Sequence, residues 1–298
     1  MIIRSLCEEE WDLVANLIFH STNDWYQRNL NRGCFPGDDP LTCRIFPEVY
    51  EALDPGCCLV AEIEGEIAGS CFYHPRESHV SLGIMNASPK FSGQGVARRL
   101  LAEVVRKAGG LPVRLVSSAM NLDSYSLYTR MGFVPTALYQ DMYFPEGKSI
   151  PRSSLKVRPA VLEDVHGMVR LEEAVSGIRR GKDFVHFVEN NSGIWKGYVH
   201  ERGGEIAGFL FSVNHPGSQM LGPGVMRDDE VALALIAEAV SGHEGGSPLM
   251  LIPAESGIVK ELYRWGARNC ELHVSQVLGA GSGKPDGVVL PTFMPETG

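Results

Sequence analysis

Two stretches of this 298-residue chain carry residue types at spacings that suit chemistry. The first is Ser88-Pro89-Lys90-Phe91-Ser92-Gly93-Gln94-Gly95-Val96-Ala97, a glycine loop between an apolar run and an amphipathic one. A loop of this kind that feeds a helix presents unpaired backbone N–H groups and the positive end of the helix dipole, which suits a pyrophosphate. Lys90, Arg98 and Arg99 add positive charge beside it. The second runs from Asn121 through Ser124 and Leu127-Tyr128 to Gly132-Phe133. Its asparagine can cap a helix or bond an amide, and its tyrosine hydroxyl can give up a proton. A nearby histidine, His79, has the side chain best suited to act as a base near neutral pH, with Glu77 and His74 close in sequence. A chain of waters would serve the same purpose. With 33 glycines, chance alone places about 3.7 Gly-x-Gly triplets in such a chain, so the glycine pattern means something only through its context.

The elements that must position these residues are legible. Residues 79–87 alternate as a strand and stop at Ser88-Pro89. Residues 95–108 place Val96, Leu100, Leu101, Val104 and Val105 on one helical face. A strand over 113–117 and a helix over 123–131, stopped by Gly132, follow. The chain also repeats itself. Residues 59–73 and 198–212 each hold two short apolar runs around Gly-Glu-Ile-Ala-Gly, a hairpin pattern. Ile3-Arg4 matches Val157-Arg158 in opening a strand-then-helix unit with acidic residues at the helix start. Leu127-Tyr128 has its counterpart at Leu262-Tyr263. The fold class is therefore α/β with a mixed sheet, in two copies of one unit. Residues 145–154 carry two prolines and no apolar period, which sets domains at 1–145 and 155–298 with a linker at 146–154. Residues 20–56 form an insert that the second copy shortens. Trp25, Tyr26, Phe35, Phe46, Asp38 and Asp39 lie in it, as expected of an aromatic, acidic cover for a cationic amine or of a packed loop.

The run from Val80 to Leu101, followed by Asn121 to Phe133, resembles the GNAT acyl-CoA-dependent N-acyltransferases. Their loop reads Gln/Arg-x-x-Gly-x-Gly/Ala, matched here at Gly95 and Ala97 but not at Ser92. Their Asn-x-x-small-x-x-Leu-Tyr-x-x-x-Gly-Phe is matched at Asn121, Ser124, Leu127, Tyr128, Gly132 and Phe133. The resemblance covers most of the first copy and, weakly, the second. It implies direct transfer of an acetyl or other short acyl group from acetyl-CoA or a related acyl-CoA to a primary amine. It further implies that Tyr128 is the general acid toward the CoA sulfur and that Asn121 bonds the pantetheine arm. Met85, Asn86 and Ala87 would pair with the pantetheine like an added strand. Ser92, Gly93, Gln94, Gly95, Val96 and Ala97 would face the pyrophosphate. His79 is the candidate base.

The matching segment of the second copy opens its helix with Asp228-Asp229-Glu230, which satisfy the dipole internally and repel phosphate. A degenerate second domain that binds no CoA is expected. The final residues, 288–298, read as a closing strand and tail. A charge of −9 and a pI near 5.5 exclude a broad nucleic-acid surface. No run reaches the ~20 apolar residues of a membrane span, and the acidic start is unlike a targeting segment. Seven cysteines with no CxxC and no zinc spacing are expected to be reduced thiols of a cytoplasmic protein, with no metal. The partner is a small-molecule or peptide amine, with a homodimer left open. A non-catalytic acyl-CoA sensor that kept the fold is the competing reading. A dinucleotide oxidoreductase fits poorly, since no acidic residue ends a next strand about 20 residues on.

Overall fold

The computed structural model describes residues 1–280 and 283–295. Residues 296–298, the end of the expected tail, lie outside them. The first half runs β1 (Ile2–Ser5), α1 (Trp11–Leu30), α2 (Ile45–Leu53), β2 (Cys58–Ile63), β3 (Glu66–Pro75), β4 (Val80–Ala87), α3 (Val96–Lys107), β5 (Val113–Ser118), α4 (Leu122–Arg130) and β6 (Val134–Tyr143). The second repeats the order as β7 (Val157–Pro159), α5 (Val165–Ser176), α6 (Gly181–Glu189), β8 (Trp195–Arg202), β9 (Glu205–His215), β10 (Ser218–Met226), α7 (Asp229–Ser241), β11 (Leu249–Pro253), α8 (Ile258–Trp265) and β12 (Arg268–Leu278), with β13 (Val288–Leu290) added. Among the described residues, no helix is long and apolar enough to cross a membrane.

The repeat has a physical basis. Arg4 donates to both Glu10 oxygens (2.7 and 2.6 Å) and from Nε to Glu62 (3.0 Å). Arg158 does the same with Asp164 (2.7 Å twice) and Glu201 (2.9 Å). Each arginine thus pins the first strand of its half to the helix start and the hairpin. The last glycine of Gly-Glu-Ile-Ala-Gly is needed for close approach. A Cβ at Gly69 would stand 2.5 Å from Val96, and one at Gly208 2.4 Å from Val231. Val96 and Val231 sit in the first turns of α3 and α7, so this glycine lets each helix start press against its sheet.

Side chains alternate along β3. Phe72 joins a core with α1 and α2, while Cys71 and Tyr73 join α3 on the other face. The first of these cores is shared by both halves. Tyr50, Phe46 and Phe72 belong to the same cluster as Phe184, Phe187, Trp195 and Phe211.

The strands form one continuous mixed sheet, in the order β1-β2-β3-β4-β5-β12-β6-β11-β10-β9-β8-β7, with β13 on β10. The halves exchange strands in its middle. β12, the last long strand of the second half, pairs with β5 from His273↔Ser118 to Leu278↔Val113. β6 pairs with β11 from Met250↔Met142 to Pro253↔Tyr139. β6 and β12 pair with each other. A boundary between residues 145 and 155 therefore separates the sequence copies but not the folded bodies, because β6 lies between two strands of the second half. Residues 144–156 form neither helix nor strand. The exchange is reciprocal because β6 and β12 are equivalent strands with the same appetite for a fifth-strand edge.

Candidate active site

β4 carries a bulge against β3, between the pairs Tyr73↔Leu82 and Cys71↔Met85. A bulge bends and twists its strand. β4 accordingly pairs with β5 only at Val80↔Val113 and Ser81↔Arg114, then leaves it. The resulting wedge exposes Met85, Asn86 and Ala87 to a cavity of about 740 Å³. Asn86 donates from Nδ2 to Ser21 Oγ (2.7 Å) and Thr22 Oγ1 (3.0 Å), which fixes α1 against the wedge. Its Oδ1 is buried with no hydrogen-bond partner in the protein.

The glycine loop follows the wedge. Gly93 and Gly95 have φ of 76° and 74°, the left-handed region that favours glycine. No atom lies within 4 Å of a Cβ built on either. The first helical hydrogen bond of α3 runs from Arg99 N–H to Gly95 O (3.0 Å). The amides of Val96, Ala97 and Arg98 therefore have no intrahelical acceptor. Ser92, Gly93, Gln94 and Gly95 are exposed, and the Val96 side chain is in the core, so only its amide is available to a ligand. Ala97 alone of this stretch lines the cavity.

α4 forms the opposite lip. Asn121 is its N-cap, with Oδ1 accepting from Ser124 N–H at 3.1 Å. Tyr128 is buried on the helix, 5.9 Å from the Phe133 ring, and lines the cavity with Asn121. Helix capping and cavity lining are thus compatible at Asn121. The counterpart Tyr263 is 46% exposed and donates to Gln140 Oε1 at 2.6 Å.

The far wall comes from the exchanged strands. Asp141 of β6 and Glu271 and His273 of β12 line the cavity and bring ligand-type atoms within 4.8 Å of one another. Each already has a protein partner. His273 Nδ1 lies 2.8 Å from Asp141 Oδ1. Glu271 accepts from Arg32 (2.8 Å) and from the Tyr26 hydroxyl (3.2 Å). Burial and the negative charges nearby, Glu271 among them, raise the Tyr26 pKa, so that hydroxyl stays protonated. Trp25, Tyr26, Phe35 and Phe46 complete the wall. The insert thus delivers its aromatic residues, on a 20-residue helix and the loop and helix after it. Its acidic residues are elsewhere: Asp38 and Asp39 are exposed, and Asp39 caps a short helix through Leu41 N–H.

His79 requires a correction. It does not line the cavity. It is 1% exposed, between Ser78 Oγ (3.0 Å) and Ser81 Oγ (3.1 Å). Burial, with Arg114, Arg180 and Arg76 nearby, pushes its pKa down to about 3. Such a ring is neutral and too weak a base for the work expected of it. The sequence reading also missed Asp141, Glu271 and His273. A signal existed, since Glu271 and His273 are two apart and so share one strand face. Nothing in the sequence said that this face meets the first half.

The wedge of the second half is filled. β10 pairs with β11 at Met220↔Leu249 and Leu221↔Met250, then diverges. β13 enters the gap and pairs with β10 at Gly224↔Leu290, Val225↔Val289 and Met226↔Val288. The closing strand expected at the C-terminus is this one. At the start of α7, Asp228 Oδ1 accepts from Val231 N–H (3.0 Å), and its other oxygen is paired with Arg202 (2.7 Å).

A split parallel strand pair and a glycine turn at a helix start, within an α/β unit, point to the acetyltransferases of the GNAT class. The chain belongs to this family. The model of the Acetyltransferase (GNAT) family matches residues 21–133, and that of an Acetyltransferase (GNAT) domain matches 168–276. Two GNAT domains stand in tandem. The fold is shared with a Pyrococcus horikoshii protein assigned as an acetyltransferase, at TM-score 0.73 and 17% identity over 96% of this chain and 92% of that one. It is also shared with a GCN5-related N-acetyltransferase from Sphaerobacter thermophilus, at TM-score 0.61 and 17% identity over 95% and 97%. No curated protein matches the chain in sequence.

Proposed function

We propose that this protein moves an acetyl group, or another short acyl group, from acyl-CoA directly to a primary amine, with the cofactor held by the first half. One observation carries the reading: the open edge of β4, Tyr128 and a polar wall meet in a single cavity. The orphan Oδ1 of Asn86 and the unengaged amides at the start of α3 fit an amide-bearing, phosphorylated arm. The amine nitrogen attacks the thioester carbonyl, the C–N bond forms and the C–S bond breaks. The departing thiolate takes the Tyr128 proton, and the proton lost by the amine returns the tyrosine to its starting form. CoA, now a free thiol, and the amide leave. The second half binds no CoA, since β13 occupies the equivalent wedge. All seven cysteines are free thiols, which fits a reducing cytoplasmic setting.

The test is thiol release from acetyl-CoA with a panel of primary amines, for wild type and Tyr128→Phe. Turnover that falls about 100-fold or more in the variant, with CoA affinity retained, supports the reading. CoA binding with no turnover on any amine would instead favour a sensor.

A further inference from the structure

The second half also bears on the chemistry. We propose that His273, oriented by Asp141, is the general base that takes the proton from the acceptor amine, so that the catalytic machinery is completed by a strand of the second GNAT domain. This rests on the acyl-transfer reading above and names the base that it lacks.

The geometry is that of an oriented imidazole. Asp141 Oδ1 stands 2.8 Å from Nδ1, and a hydrogen held on Nδ1 by that contact leaves the Nε2 lone pair for a substrate. The Phe293 ring, 5.0 Å away, packs on the imidazole and limits its rotation. Among the described residues that line the cavity, His273 is the one histidine. Of the carboxylates there, Asp141 is engaged by His273, Glu271 accepts from Arg32 and Tyr26, and Asp123 is exposed in the first turn of α4. His273 is also joined by strand pairing to the segment that leads to Tyr128. It pairs directly across from Ser118, the last residue of β5, and Ser118 leads through Asn121 into the helix of Tyr128. Ser118 itself lines the cavity. Acid and base therefore line the same cavity, one from each half of the chain.

The charge around the imidazole is mixed. Asp141 faces it from β6 and Glu271 from its own strand, with Tyr139 opposite in register. Tyr26, Arg32 and Cys34 line the same cavity from α1 and the following loop, Tyr26 and Arg32 bonded to Glu271, and Cys270 lies beside Asp141. The base takes a proton from R–NH3⁺ to leave R–NH2. The amine then attacks the thioester, and the imidazolium returns its proton to solvent between turnovers. The aromatic wall suits an amine on an apolar body.

The experiment uses the full chain with acetyl-CoA and amines from 2-phenylethylamine to lysine amide. His273→Gln should retain CoA affinity by calorimetry and lose about 100- to 10,000-fold in kcat near neutral pH. Its rate should climb tenfold per pH unit toward the amine pKa, where wild type reaches a plateau. Asp141→Asn should fall between the two. His273→Ala should recover part of its rate on addition of imidazole, a gain that a merely misfolded variant would not show. Wild-type kcat and pH profile in His273→Gln, with wild type active, would overturn the base assignment alone. An inactive wild type would overturn both it and the acyl-transfer reading. Activity abolished by chelation and restored by a divalent cation would overturn it too, since the cluster would then act by holding a cation.

Discussion

Arg76 and Asp183 stand in different halves of the chain and form a buried pair, with Arg76 Nε donating to Asp183 Oδ2 at 2.8 Å. Arg76 also donates from Nη1 to both oxygens of Asp54 (2.9 and 3.0 Å), and His74 Nδ1 lies 2.8 Å from Asp54 Oδ2. One guanidinium thus holds two carboxylates out of water at the seam between the halves. Arg76→Met would leave Asp183 buried without its guanidinium, and Asp54 with only His74 and Lys182. The expected cost is about 3–5 kcal/mol, measured by chemical denaturation. A cost under about 1 kcal/mol would mean that the seam is hydrated.

His79 makes stability depend on pH. Its folded pKa, about 3, lies below the ordinary value of 6.5. The unfolded chain therefore takes up a proton before the folded one does. The stability it contributes is present above pH 6.5 and is lost as pH falls from 6.5 toward 3, at up to about 1.4 kcal/mol per unit. Unfolding free energies measured between pH 7 and 5 should fall with a slope that His79→Asn reduces by close to one proton. An unchanged slope would show that His79 is protonated in the fold.

Gly95 should be sensitive to charge more than to size. Its φ of 74° strains any other residue by about 1–2 kcal/mol, but space for a side chain is open. Gly95→Glu aims a carboxylate at the pyrophosphate place and is expected to bring CoA affinity below detection in calorimetry. Gly95→Ala, equally strained, should still bind. Asp228→Asn, at the counterpart in the second half, should leave the affinity unchanged. Undiminished affinity in a folded Gly95→Glu protein would contradict the assigned site.

Strand exchange predicts mutual dependence. Residues 1–145 expressed alone would leave β6 without β11 and β12, and β5 without β12, with bare edges open to aggregation. Neither 1–145 nor 155–298 should fold alone, whereas the two expressed together should associate. Cleavage in the exposed 146–154 stretch should likewise leave the halves bound in gel filtration. A monomeric, cooperatively unfolding 1–145 fragment would rule out the exchange.

Local pattern determined much of this protein. The glycine loop, the Asn121–Phe133 helix and the Gly-Glu-Ile-Ala-Gly repeat each depend on residues within one turn or one hairpin, where backbone geometry selects residue type directly. The bulge in β4 left no such mark, yet it opens the wedge at Met85–Ala87.

The remainder was decided by contacts between residues far apart in the chain. β6 and β12 have the same strand pattern, so sequence periodicity is indifferent to which fifth strand each one joins. Only packing of the two halves settles that, and with it the meeting of Asp141, Glu271 and His273 beneath the aromatic insert. His79 shows the converse. Its residue type suits a base, but burial among arginines takes away its basicity. The chain by itself dictates that two acetyltransferase-type units form. Tertiary structure decides that they share one sheet and line one cavity, because hydrogen-bonding edges pair by proximity in space and carry no record of the sequence copy they came from.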